Sequence, residues 1–146
     1  MNTHMNTLAL LATVAASGLM LAGCNKAENP AEVQHDVARA QAEGNRNVAA
    51  ARADAQKNSI DAQTDVAEAV ADHKVADAID QSHEADKVAM KGDEKVQIAQ
   101  AEATHRVSIQ KCEAMSGEMQ KECKDSADAD LKAAKEFAEM RRDANR

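Results

Sequence analysis

Beyond residue 30 the chain repeats one short figure: a polar pair, a valine, then small residues alternating with polar ones. HDVARAQAE, NRNVAAARA, TDVAEAVAD, HKVADAIDQ, DKVAMKGDE, EKVQIAQAE and HRVSIQKCE all share it. Val37 and Val48 stand eleven residues apart, as do Val96 and Val107, and Val66 and Val88 are separated by twice that. An eleven-residue period corresponds to about 3.67 residues per turn, so the repeated face runs nearly straight or slightly right-handed along a helix. Val33, Val37, Ala40, Gly44, Val48, Ala51, Ala55, Ser59, Ala62, Val66 and Val70 follow that spacing. Such small residues let helices approach closely but supply little hydrophobic drive.

The pattern predicts a helical rod over residues 30–116, roughly 130 Å long if unbroken. Asn29-Pro30-Ala31-Glu32 supplies its start: a capping side chain, a proline suited to the first helical position, and a carboxylate in the first turn. Gly44 and Gly92 are its expected weak points, since each costs about 1 kcal/mol relative to alanine in a helix interior. A break is expected near Gly92, within Lys91-Gly92-Asp93, and a lesser one near Gly44. Two further stripes converge on a turn. Ile98, Ala101, His105, Ile109 and Cys112 lead in; Met119, Cys123, Ala127, Leu131, Ala134 and Ala138 lead out. With Gly117 at the reversal, they predict an αα-hairpin whose second helix occupies 117–146.

Composition narrows the picture to helices without a large globular core. Alanine accounts for 33 of the 146 residues, there is no Trp or Tyr, and Phe137 is the single Phe. Alanine favours the helix but buries little area. The fold class expected is therefore all-α: a long Ala-rich helix, or broken helices, followed by the hairpin. The net charge is −7, with Lys and Arg interspersed among Asp and Glu. No basic stripe tracks a phosphate backbone and no aromatic residues are available to stack bases, so nucleic acid is not an expected partner.

The first residues have a different character. Leu8 to Met20, LALLATVAASGLM, is uncharged and has the length of a signal-peptide h-region rather than of a membrane span, and every Lys, Arg, Asp and Glu lies after residue 24. Leu21-Ala22-Gly23-Cys24 follows directly. It resembles the lipobox of bacterial lipoproteins. That resemblance implies a signal peptide over 1–23, cleavage before Cys24, and a covalent diacylglycerol and N-acyl lipid (palmitate or similar) on Cys24. Residues 24–29 then form a tether. Two or more acyl chains make membrane attachment stable at about 0.8 kcal/mol per buried CH₂. The residue after the cysteine is Asn25 rather than the aspartate that retains many enteric lipoproteins in the inner membrane. The periplasmic face of the outer membrane is the location the resemblance favours. The chain ends at Arg146, not at the lysine that links the abundant murein lipoprotein to peptidoglycan, so wall attachment is not expected.

With Cys24 lipidated in an exported protein, Cys112 and Cys123 are the two cysteines left, and a disulfide between them is expected. The segment KCEAMSGEMQKECKDSADADLKAAK also resembles small exported cell-envelope proteins of proteobacteria, which supports export and a cystine hairpin. A redox pair ordinarily has C-x-x-C spacing, and a zinc site of His105, Cys112 and Cys123 lacks a fourth ligand. Asp80, His83, Glu84 and Asp86 lie close in sequence, but a solvated helix face explains such a cluster at this charge density. No metal, cofactor or small-molecule substrate is expected, and no nucleophile or phosphate-loop motif is present. The expected function is that of a non-enzymatic, membrane-anchored envelope spacer or adaptor, partnered by another envelope protein or by its own copies. The alternative is a largely disordered, stress-protective polypeptide that folds on a membrane or partner.

Overall fold

The computed structural model describes residues 26–144, all of them helix or short connection. Within them α1 spans Pro30–Ala71, α2 Val75–Cys112 and α3 Gly117–Ala144. The chain is all-α, as the sequence predicts. α1 and α3 each pack on α2, which is the shared element.

The start of α1 forms as its sequence implies. Asn29 Oδ1 accepts the Ala31 amide at 3.0 Å, and Pro30 takes the first helical position. The predicted stripe is the packed face: Val33, Ala40 and Gly44 are buried, and Val37, Val48, Ala51, Ala55, Ser59, Ala62 and Val66 are half-buried. Only its last member departs, since Val70 is exposed and Ala69 takes the inward place.

The single rod over 30–116 does not form. The chain reverses at Asp72–Lys74 and folds α2 back along α1. The stop is a Schellman arrangement: the Lys74 amide donates to Ala69 O at 3.0 Å and the His73 amide to Val70 O at 3.1 Å. His73 occupies the left-handed region at φ 57° to make this geometry. The position usually belongs to glycine, because a side chain there is strained.

The breaks expected at Gly44 and Gly92 are also absent, and both helices run through them. Each glycine is instead a point of closest approach. A methyl group on Gly44 would stand 2.6 Å from Ala103 Cβ, and one on Gly92 would stand 3.0 Å from Ala55 Cβ. The two Gly–Ala pairs share one antiparallel register, each eleven residues from the other along both helices. The roughly 1 kcal/mol lost to each glycine's backbone freedom is offset by contact that only a missing side chain permits.

The second hairpin is present. Gly117 opens α3 with φ 61°, and the Cys112 and Cys123 sulfurs are bonded, with their Cα atoms 5.7 Å apart. The stripe on α3 is shifted from expectation. Met119 and Ala134 are exposed, while Gln120 is buried and Lys135 half-buried beside α2. Long polar side chains reach across the seam with their ends paired, a role that apolar counting overlooks.

Candidate functional site

The three helices give the molecule two unlike ends. The first gathers the segment before α1, the end of α2 and the start of α3. The Glu28 amide donates to Glu113 O at 2.9 Å, which fastens the segment before α1 beside the cystine. Cys112 is fully buried. Around it, the Glu113 carboxylate accepts Gln120 Nε2 at 2.6 Å and pairs with Lys124 Nζ at 2.6 Å. Glu28 is half-buried, and its Oε2 is buried without a hydrogen-bond partner. Burial first, and then the neighbouring Glu113, Glu32 and Asp36 carboxylates, hold the Glu28 carboxyl above the ordinary glutamate value, against an opposing pull from Lys124.

From this end α3 runs back along α2, joined by polar pairs. His105 Nε2 lies 2.6 Å from Asp128 Oδ1, and Lys135 Nζ lies 2.8 Å from Glu102 Oε1. The series closes where Arg142 Nη1 meets both oxygens of Glu94, at 2.9 and 3.2 Å.

Beyond Glu94, only α1 and α2 continue, to the turn at Asp72–Lys74. This second end carries apolar side chains in the open. Val70 is 59% exposed, Val75 71% and Ile79 54%. With Val66 and Ala78 they line a groove of about 470 Å³ between the helices at the tip. A second, more polar depression begins at Arg142 in the last turn of α3, passes Met90 and Lys87, and reaches His83, which it shares with the first. The two form one trough along α2, from where α3 stops to the turn.

Cys112 and Cys123 are thus together, at the end where Glu28 meets Glu113. The hairpin they pin is not the distal tip. Cys24 lies outside the described residues, as do the h-region and the lipobox. Asp80, His83, Glu84 and Asp86 line parts of the trough, and among the described residues no three His, Cys, Asp or Glu side chains converge to hold a metal ion. Among the same residues, no helix is long and apolar enough to cross a membrane.

The tip residues escape a reading based on period alone. Val75 and Ile79 belong to HKVADAIDQ, which looks like one more copy of the repeat. In the structure Ala78 is half-buried and its neighbour Ile79 is exposed, a difference that the repeat itself does not mark. The chain matches no protein-family model, no curated protein and no solved structure.

Proposed function

We propose that the protein is a non-enzymatic, lipid-anchored envelope lipoprotein that holds an interaction surface away from the membrane that bears it. In this reading Cys24 carries diacylglycerol and an N-acyl chain at the periplasmic face of the outer membrane, and the hairpin serves as spacer and adaptor. The carrying observation is the separation of the two ends. The tether is clamped to Glu113 at one, and the exposed β-branched cluster of Val70, Val75 and Ile79 is at the other. The 42 residues of α1 place them roughly 60 Å apart. A rod used only to fill space has no need of open Val and Ile at its far end, since such patches mark contact sites.

The test is metabolic labelling of cells with an alkyne palmitate analogue, followed by membrane fractionation. Label on the wild-type chain and none on Cys24→Ala, with the variant released from the outer-membrane fraction, is the expected result. Label that persists in Cys24→Ala, or a wild-type chain that takes none, overturns the anchor.

A further inference from the structure

We infer that the trough along α2 receives a basic amphipathic helix from a partner protein, which continues the line of α3 to the tip. The inference deepens the adaptor reading by naming the partner's chemistry, and it rests on the tip being the working end.

Three observations carry it. The first is continuity with an interface already formed. α3 covers α2 from Cys112 to Glu94 and stops there, while the trough proceeds past Met90 and His83 to Ile79. From Met90 to Val75 the uncovered length is roughly 23 Å, the length of a four-turn helix. The second is the apolar content at the far half, where Val70, Val75 and Ile79 are each more than half exposed. A helix laid in such a groove would bury them against its own apolar residues at i, i+3 and i+4.

The third is charge. Residues 60–91 contain eight Asp or Glu and three Lys, a net −5 with His neutral, against −7 for the whole chain. Two of the three lysines are already engaged, Lys74 with Asp72 at 2.9 Å and Lys87 with Glu84 at 3.1 Å, and the third, Lys91, lies at the Arg142 end of the trough. Asp65, Glu68, Asp77, Asp80 and Asp86 have no cation within ion-pair distance among the described residues. A second copy of this acidic tip would meet like charge, and so would an anionic lipid surface. A helix with Lys and Arg flanking an apolar stripe meets the net negative charge of the tip, Asp80 and Asp86 beside the trough included, and apolar side chains at its far half.

The test measures fluorescence anisotropy of labelled peptides on the full chain held in phosphatidylcholine nanodiscs, with empty discs subtracted. Three peptides of about sixteen residues are compared. One has a Leu/Ile stripe and Lys/Arg elsewhere; the next has the same stripe with Glu for Lys/Arg; the last is the basic composition scrambled to destroy the stripe. Saturable binding of the first alone is expected. Ile79→Asp should weaken it about tenfold, as loss of a buried anchor does. The exposed triple change Asp80→Asn, Glu84→Gln, Asp86→Asn leaves the packed faces untouched, and should weaken binding and flatten its dependence on salt. Equal binding of the basic and acidic stripes, or of the scrambled peptide, overturns the inference. So does binding indifferent to Ile79→Asp in a variant of unchanged helicity. Sedimentation showing self-association that Ile79→Asp abolishes would assign the trough to a second copy instead. Palmitate labelling decides the anchor separately, so failure of either result is distinguishable from failure of the other.

Discussion

The half of the molecule where three helices meet and the half where only two run on are built from the same repeat, yet differ in how their side chains are used. In the three-helix half Cys112, Gln120, Ala127 and Ala138 are buried and polar pairs bridge α2 and α3. Between Gly44 and Gly92, which includes the whole two-helix half, no residue is buried. A two-helix hairpin leaves one face of each helix in water whatever its sequence, so a third helix decides whether the outward face of α2 becomes core or surface. The tip keeps its shape through close backbone approach at small residues, which leaves its larger apolar side chains free for contact with something else.

The contrast can be broken most forcefully at the cystine. Replacing Cys112 and Cys123 with Ser should lower stability by about 3 kcal/mol, as expected for a closed loop of this size. Amide exchange should quicken in α3 and in α2 after Glu94, and stay unchanged around Val75–Ala85. Equal quickening at the tip would show one cooperative unit in place of two halves. A smaller loss, about 2 kcal/mol, should follow Gly44→Val, because even a methyl at that position meets Ala103. Urea denaturation followed by circular dichroism measures it, and Ala103→Gly in the same chain should restore part of the loss. Failure of that rescue would remove the close-approach account.

The smallest effect expected is a change of pH dependence where Glu28 docks on Glu113. Glu28 has its carboxyl held above the ordinary value, so ionising it disfavours the docked state. Docking is therefore strongest at low pH and weakens as pH rises through the window above the ordinary glutamate range. Glu28→Gln should remove that slope, as measured by exchange of the Glu28 and Val33 amides between acid and neutral pH. A slope that survives the substitution would place its source elsewhere.

Much of this arrangement is legible in the sequence, and the exceptions have physical causes. The eleven-residue stripe from Val33 to Val66 is the packed face of α1 because period alone determines which side chains share a face. The turn at Gly117 was visible because a glycine flanked by converging stripes has few other uses. The reversal at His73 was hidden, since Asp72-His73-Lys74 has neither Gly nor Pro and the polar pair before Val75 looks like every other pair in the repeat. Gly44 and Gly92 are ambiguous in the sequence for a related reason. A glycine that ends a helix and one that admits a neighbouring helix look alike until the neighbour is known. Gln120 and Lys135 escape apolar counting because their stems pack while their ends are polar.

The shared register of the two Gly–Ala pairs also limits how a molecule of this kind can vary in size. A segment added to α1 alone would rotate every later residue off the seam, and so would one whose length is not a whole repeat. Lengthening that preserves the fit must come as eleven residues in each helix together, advancing the tip by about 16 Å. Reach is thereby quantised: the hairpin is a ruler whose graduations are written in its alanines and glycines.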